Sequence, residues 1–322
     1  MTPVPTVFVT SATGTVGGAV ARQLRDIGWN VRTTTRSIAS PAAQDLVRRG
    51  VQVTEGDWTN EAVLASAIAG SDFIFINLFP DFSDASRELQ WTKDFLRIAK
   101  AAGVRHVVHS GILHTHTLPQ FDPNHWASVW LLEKVKVEEA VTGTDIQYWT
   151  AIRPGYFMSN LLRPKVDFQF PGATATGVFA LGMPPDTILP LVDHEDIAKF
   201  AVAAFRNPQA FHGKVIPLAG EMLSIGDAIG LLAKHSGRDI RGKYISPEES
   251  EKLYGDVAFS FTDPKSLAKF SLENQGRIVG FHVFVDMDEV KRWGISMNTF
   301  AGFLEREVEG LKDSFKSVKV AE

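Results

Sequence analysis

Short strand-like runs alternate with helical segments along the first half of the chain, and this order constrains the fold most strongly. The runs are rich in β-branched and aromatic residues, as strands are. They lie at residues 6–10, 31–35, 51–55, 72–77, 104–110 and 145–152. Repeated strand–helix–strand units pair their strands in parallel. The chain is therefore predicted to form an α/β fold with a doubly wound parallel sheet of the Rossmann type.

One of the intervening segments has a clear helical period. Apolar and small residues recur in it at spacings of three and four, and a glycine ends the stripe: Leu89, Thr92, Leu96, Ala99 and Gly103. Such a stripe is typical of a helix that packs one face against a core. The spacing predicts a helix over residues 89–103.

The pattern loosens after about Arg153 into loops rich in Pro and Gly, shorter helices and a final helix predicted near residues 297–316. A chain of 322 residues is long enough for two domains. We predict a Rossmann domain at residues 1–153. Residues 154–322 are predicted to form a smaller, mixed α/β region that covers the substrate, with strands or helices that return to the first domain.

Composition excludes several classes of partner and site. The net charge is −4, and the 33 basic side chains are spread along the chain, so a nucleic-acid partner is not expected. The chain has no cysteine, which excludes disulfides, thiolate nucleophiles and metal sites built on Cys. It has neither a basic leader nor a run of eighteen apolar residues. We expect a cytoplasmic protein without a membrane segment.

The stretch TSATGTVGG (Thr10 to Gly18) follows the first predicted strand and opens a helix, as a dinucleotide-binding turn does. Gly14 lets the backbone approach a pyrophosphate, and Gly17 permits close packing of helix on strand. Ser11 replaces the usual first glycine, which requires a negative φ at this serine. The alternative is a purely structural turn. The residues predicted to bind the cofactor here are Thr10, Ser11, Thr13, Gly14, Thr15, Val16 and Gly17.

The residues after the second, third and fourth strands decide which dinucleotide binds. No Asp or Glu follows the second strand to hold a ribose 2′-hydroxyl, whereas Arg36 suits a 2′-phosphate, so NADP(H) is predicted over NAD(H). Alternatively, Arg36 is a solvated loop residue. Asp57 either accepts a hydrogen bond from the adenine amino group or caps the next helix. Asn77, after the fourth strand, completes the predicted cofactor-binding set.

Several motifs occur together in one order: VTSATGTVGG, TTTRS, EGDWTN, HVVHSG, LLEKVKVEEAV, AIRPGYFMSNLL and LVDHEDIAKF. In this order they resemble the NmrA-like atypical short-chain dehydrogenases, a group that includes the isoflavone-reductase-like enzymes. The resemblance runs from about residue 5 to 200. It implies an NADP-binding Rossmann domain and a small C-terminal substrate region. It also implies one of two kinds of member, a reductase of aromatic metabolites or a regulator that binds the nucleotide without turnover.

Lys134 is the predicted catalytic residue. Typical short-chain dehydrogenases carry a Tyr four residues before the active lysine, but Trp130 stands there. The helical neighbours of Lys134 are apolar, which predicts an inward side chain, whereas Lys136 lies on a mixed face and is predicted to be exposed. In the family pattern the matching lysine reaches the nicotinamide ribose and the substrate. The alternative for Lys134 is an ion pair with Glu138 on the same helix.

Three further residues are candidates for contact with the substrate. Ser110 ends the fifth predicted strand, where ligands of this fold class bind, unless it only caps the loop. Tyr156 follows the sixth strand as a second donor, or else lies in a core. His114 is a candidate general acid. His114 and His116 are only two residues apart, but with Asp122 they lack metal-ligand spacing, so no metal is predicted.

These observations predict an NADPH-dependent reductase of an apolar, aromatic carbonyl or enone substrate. Lys134 or a loop histidine would stabilise or protonate the substrate oxygen. A nucleotide-sensing regulator with a protein partner is the alternative. A third interpretation is an isomerase or dehydratase that keeps the nucleotide as a scaffold. The oligomeric state is left open.

Overall fold

The computed structural model describes residues 3–81, 83–125, 128–255, 257–258, 260 and 262–321. The chain forms two compact units. The first unit comprises Met1–His116, Asp122–Pro154 and His194–Leu218. The second unit comprises Thr117–Phe121, Gly155–Asp193 and Ala219–Glu322.

The strands of the described residues, in chain order, are β1 (Thr6–Val9), β2 (Asn30–Thr35), β3 (Gln52–Glu55), β4 (Phe73–Ile76), β5 (His106–Ser110), β6 (Tyr148–Pro154), β7 (Tyr156–Phe157), β8 (Val178–Leu181), β9 (Ile188–Val192), β10 (Lys214–Leu218), β11 (Glu221–Ser224) and β12 (Arg241–Tyr244).

The helices are α1 (Thr15–Asp26), α2 (Pro41–Arg48), α3 (Glu61–Ile68), α4 (Arg87–Ala101), α5 (Ser128–Thr142), α6 (Lys165–Gln169), α7 (Ala173–Thr176), α8 (His194–Arg206), α9 (Pro208–Phe211), α10 (Ile225–Ser236), α11 (Pro247–Tyr254), α12 (Pro264–Arg277), α13 (Met287–Arg292), α14 (Phe300–Arg306) and α15 (Val308–Ser314). Short 3₁₀ turns lie at Thr115–Thr117, Met158–Leu161 and Phe281–Phe284.

The sheet of the first unit is parallel throughout, in the order β10-β6-β5-β4-β1-β2-β3. The predicted α/β fold with a doubly wound parallel sheet is confirmed. The chain runs from β1 outward to β3 and then crosses to β4 on the other side of β1. This reversal makes a switch point between β1 and β4, where the carboxyl ends of the strands open a crevice for ligands.

Burial explains why these segments form the centre of the sheet. All four residues of β4 are buried, and β4 lies between β1 and β5. An apolar run of this kind is typical of a strand covered on both faces. The predicted helix over residues 89–103 is α4, and Gly103 follows it with a φ of +81°. This left-handed conformation is the usual glycine termination of a helix.

Residues 194–218 return to the first unit. β10 pairs with β6 as a seventh parallel strand. α8 packs on α1, where Arg22 Nη2 lies 2.5 Å from Glu195 Oε1 and Gln23 Nε2 donates to Glu195 Oε2 at 2.7 Å. These contacts hold α8 against the first helix of the same unit.

The second unit has its own core around three strands in the order β11-β9-β7 and a parallel pair formed by β12 and β8.

The prediction of a single final helix near residues 297–316 is wrong. The segment forms α14 and α15, with Glu307 between them at a ψ of +27°. Arg306, the last residue of α14, is held by buried Asp193 at 2.6 and 3.1 Å, a long-range contact that the local pattern does not contain. No helix in the described part of the chain has both the length and the apolar character needed to cross a bilayer.

Candidate functional site

The turn after β1 ends in an open helix N-terminus. Gly14 is the N-cap residue of α1, so no side chain caps the helix, and no acidic residue stands in its first turn. A Cβ at Gly17 would lie 2.5 Å from Ser11 O and 2.6 Å from Thr10 O, so only glycine allows α1 to pack this closely on the strand end. Thr13, Gly14 and Thr15 are exposed, whereas Val16 is buried. The exposed N–H groups and the helix dipole favour an anion.

Ser11 does not have the negative φ that the sequence required of it. Its φ is +51°, the left-handed region that costs an L-residue with a side chain about 1–2 kcal/mol. The reason lies in the turn itself, because Ser11 O accepts a hydrogen bond from Gly14 N at 2.8 Å. The chain reverses within four residues, and a glycine would adopt this conformation without strain.

The Thr10 side chain joins the ends of β1 and β4. Its Oγ1 accepts from Asn77 N at 2.8 Å and donates to Asn77 O at 3.2 Å, and the residue is fully buried. These bonds fix the two strand ends at the switch point. Thr10 therefore shapes the crevice through Asn77, and a direct contact of either residue with a cofactor stays a prediction.

Arg36 follows β2 directly and is exposed. The pKa of nearby Asp57 is lowered by hydrogen bonds from the Thr59 backbone and hydroxyl and, to a smaller extent, by the charge of Arg36. The alternative role of Asp57 as the cap of the next helix is wrong. Asn60 caps α3, since its side chain accepts from Val63 N at 3.2 Å, while Asp57 Oδ1 accepts from Thr59. One carboxylate oxygen of Asp57 is therefore committed to the turn.

Lys134 lies on α5 with its side chain 15% exposed. Its Nζ donates to Glu88 Oε1 at 2.5 Å and to Leu78 O at 2.9 Å. The alternative ion pair with Glu138 is wrong, because α4 supplies the partner. Burial raises the pKa of Glu88 more strongly than the charge of Lys134 lowers it. An ammonium has three N–H donors, so one of them is not used by these two bonds.

Glu88 was missed by sequence reasoning, although a signal exists. It stands four residues before Thr92 and thus continues the packing stripe of α4, where a carboxylate requires a partner. Exposed Lys136, by contrast, pairs with Glu133 at 2.5 Å on its own helix, as expected for a surface lysine.

Glu138 forms a second, separate cluster with Arg153 and His114. Arg153 donates through Nε to Glu138 Oε2 at 3.0 Å and through Nη2 to Oε1 at 2.5 Å, a bidentate pair. His114 Nε2 lies 3.2 Å from Glu138 Oε1. Burial lowers the pKa of His114, which Glu138 opposes and Arg153 reinforces. At neutral pH a smaller fraction of His114 is therefore protonated than of a solvated histidine.

The carboxyl end of β5 carries two buried polar groups without a hydrogen-bond partner among the described residues, Ser110 Oγ and His109 Nε2. His109 Nδ1 lies 3.1 Å from Ile76 O, and a carbonyl only accepts, so Nδ1 carries the proton and Nε2 a free lone pair. Burial, followed by the charge of Lys134, lowers the pKa of His109 to about 4. A Cβ at Gly111 would lie 3.0 Å from His109 Nε2, so a side chain at this position would press on the nitrogen.

Tyr156 lies in the second unit, on β7. The residue is 7% exposed, and burial raises the pKa of its hydroxyl, with a smaller opposing effect of Asn160. Tyr156 is buried as in a core, but its hydroxyl has no hydrogen-bond partner among the described residues. A role as substrate donor stays a prediction.

The His114 and His116 rings lie 5.3 Å apart. Among the residues that the structure describes, no three His, Asp or Glu side chains are arranged to hold a metal ion.

The sequence is similar to a known family and to several known proteins. The sequence matches the NmrA-like family over residues 4–276. It is 29% identical over 272 residues to an NAD(P)H azoreductase of Xenophilus azovorans, which covers 81% of this chain and 83% of the relative. It is 28% identical over 248 residues to quinone oxidoreductase 2 of Escherichia coli, covering 74% and 78%.

A solved structure of NmrA, a negative transcriptional regulator, in complex with NAD has the same fold. The TM-score is 0.66 at 21% identity, and the match covers 98% of this chain and 92% of that one. The family match spans most of the chain, including both the nucleotide-type turn and the lysine of α5. The chain belongs to the NmrA-like family.

Proposed function

We propose that the protein is an NADPH-dependent reductase of apolar, aromatic carbonyl or enone compounds. The observation that supports this function most directly is the pairing of two anion-attracting features at the ends of neighbouring strands. The open N-terminus of α1 follows β1, and exposed Arg36 follows β2. A dinucleotide with a 2′-phosphate has two anionic groups that suit these features: the pyrophosphate for the helix N-terminus and the 2′-phosphate for Arg36.

The residues present fit this cofactor. Gly14 leaves the pyrophosphate side of the turn free of side chains, and Arg36 is the planar, always charged group that suits a phosphate dianion. Between β2 and α2 no Asp or Glu occurs, so a competing carboxylate for the ribose is missing from that loop. NADPH, when bound, supplies a hydride to an electrophilic carbon.

Lys134 acts on the oxygen of the substrate in this proposal. Glu88 and the Leu78 carbonyl orient its Nζ with two hydrogen bonds, and the remaining N–H donates to the oxygen as negative charge develops there. Trp130 has no acidic proton, so the proton comes from Lys134 or from a histidine of the same unit such as His114. Ser110 supplies a further buried hydroxyl at the end of β5.

The names of two relatives support the class of substrate. One relative is named an azoreductase and another a quinone oxidoreductase, and azo compounds and quinones are both conjugated; the match covers more than 70% of this chain in each case. Quinones are conjugated diones and therefore belong to the enone class proposed here.

Turnover with a panel of substrates tests the proposal. The purified protein is incubated with NADPH and aromatic ketones, enones and quinones, and cofactor oxidation is followed together with product by mass spectrometry. We expect Lys134→Met to lower kcat by about 10²–10³-fold, as for loss of one oxyanion donor. The matched control, Lys136→Met on the same helix, keeps the wild-type kcat. Tight NADPH binding with no oxidation by any compound would refute the proposal.

A nucleotide-sensing regulator is the second candidate, favoured by the absence of a tyrosine at position 130 and by the structural likeness to NmrA. In that case Lys134→Ala leaves binding to a protein partner unchanged, whereas Arg36→Ala abolishes it.

A further inference from the structure

A half-buried lysine of the second unit has no carboxylate partner. Lys165 Nζ donates to Ser159 Oγ at 2.9 Å and lies 5.4 Å from the centre of the Phe157 ring. Burial is the only influence that shifts its pKa, and it lowers it. Among the described residues, the contacts of this Nζ are the Ser159 hydroxyl and the Phe157 ring, and neither is a carboxylate. The ammonium has therefore lost part of its hydration and gained only a neutral hydroxyl and an aromatic face in return.

Two other basic side chains of the same unit have carboxylate partners. Neighbouring Arg163 pairs with Asp167 at 3.1 Å, and Arg306 pairs with Asp193 at 2.6 Å. Lys165 differs from them, because its charge is desolvated without being neutralised.

Lys165 Nζ and the Ser159 hydroxyl can both donate further hydrogen bonds. Ser159 Oγ accepts from Lys165, so its own proton is free to donate elsewhere, and the ammonium keeps two N–H groups. Phe157 and Ser159 are both partly exposed, so a ligand has access to the ring and the hydroxyl. A group that fits has acceptor atoms with negative charge beside a flat apolar ring.

We propose that Lys165, Ser159 and Phe157 form a subsite for an aromatic carboxylate. The carboxylate accepts from Lys165 Nζ and Ser159 Oγ, and its ring packs on Phe157. All three residues lie within the second unit, and the subsite is proposed independently of the reductase function.

Binding without turnover tests the subsite. Naphthoate and its neutral analogue naphthamide are titrated by NMR, with and without NADP⁺, into the wild type, Lys165→Met, Ser159→Ala and Lys316→Met. Lys316 is an exposed lysine of the same unit that pairs with Asp313, so it controls for the loss of one positive charge. We expect Lys165→Met to weaken naphthoate binding about 10- to 100-fold and to leave naphthamide unchanged.

Ser159→Ala should weaken naphthoate binding less, and Lys165→Arg should retain the preference for the carboxylate because the charge remains. Lys316→Met should behave as wild type, and added salt should reduce the preference in the wild type. No naphthoate binding by the wild type, or an equal loss of both ligands in Lys165→Met, would overturn the subsite. Because no hydride transfer is measured, failure of the reductase proposal leaves this result intact, and the reverse also holds.

Discussion

Ser11 strains the backbone of the turn after β1 and thereby lowers the stability of the fold. Its φ of +51° is strained, and Ser11→Gly removes this strain, which costs about 1–2 kcal/mol. The glycine also makes the unfolded chain more flexible, which lowers stability by about 0.5–1 kcal/mol. We therefore predict that the substitution raises the free energy of unfolding by about 0.5–1 kcal/mol. Urea unfolding followed by tryptophan fluorescence measures the change.

Ser37 provides the matched control, because it lies in the loop after β2 and does not have a positive φ. Ser37→Gly should lower the free energy of unfolding by about 0.5–1 kcal/mol, since only the entropic effect remains. If both serines respond with the same sign, the strain assigned to Ser11 is not real.

The pair of Glu88 and Lys134 gives a second prediction at the residue scale. Glu88 is 1% exposed, so Glu88→Gln leaves Lys134 Nζ without its counter-charge and lowers the free energy of unfolding by about 3 kcal/mol. In Glu88→Gln/Lys134→Met both charges are gone, and much of the loss is recovered. The double-mutant cycle should give a coupling energy of about 1–3 kcal/mol. Strictly additive losses would show that the two side chains are not coupled.

Strand β5 makes the first unit sensitive to acid. It carries His106 and His109, whose pKa values are lowered to about 3 and about 4, in both cases mainly by burial. In the unfolded chain both titrate near 6.5. Their contribution to stability is therefore complete above pH 6.5 and is lost as the pH falls toward 4. We predict that each lowers the free energy of unfolding by up to about 1.4 kcal/mol per pH unit in this window.

Substitutions that keep the hydrogen bonds isolate this effect. His106 bonds to Thr150 Oγ1 through Nε2 at 2.9 Å, which Gln imitates, and His109 bonds to Ile76 O through Nδ1, which Asn imitates. His106→Gln/His109→Asn should flatten the pH dependence between pH 6.5 and 4 in urea unfolding experiments. Exposed His282, replaced by Gln, is the control. An unchanged slope in the double variant would contradict the assignment to β5.

The elements were predictable where their signal is local. The strands β1 to β6 follow from short β-branched and aromatic runs, and α4 follows from the spacing of its apolar residues. The inward Lys134 follows from its helical neighbours. Its partner does not, because Glu88 lies 46 residues away in the sequence and meets Lys134 only through the packing of α4 on α5. The cap of α3 is a local feature, but Asp57 and Asn60 are both residue types that cap helices, so only the backbone geometry shows that Asn60 is the cap.

At the scale of the whole molecule, segments that are distant in the sequence belong to the same unit. Residues 194–218 stand deep in the C-terminal half of the sequence but complete the first unit through β10 and α8. In the sequence, β10 is a short apolar run like the other strands. Only its pairing with β6 shows which sheet it joins. Arg306, the residue before the break at Glu307, is likewise bound by Asp193, more than a hundred residues earlier in the chain. Long-range contacts of this kind are not encoded in a local period.

The central claim is that the edge formed by the α1 N-terminus and Arg36 binds NADPH. Titration of NADPH and NADH into the wild type and Arg36→Ala, followed by tryptophan fluorescence, tests it most directly. A charge-assisted contact with the 2′-phosphate is worth about 1.5–3 kcal/mol, so Arg36→Ala should lower NADPH affinity by about 10- to 150-fold and leave NADH affinity unchanged. The wild-type preference should shrink as salt is added. Equal losses for the two cofactors, or no loss for either, would contradict the account.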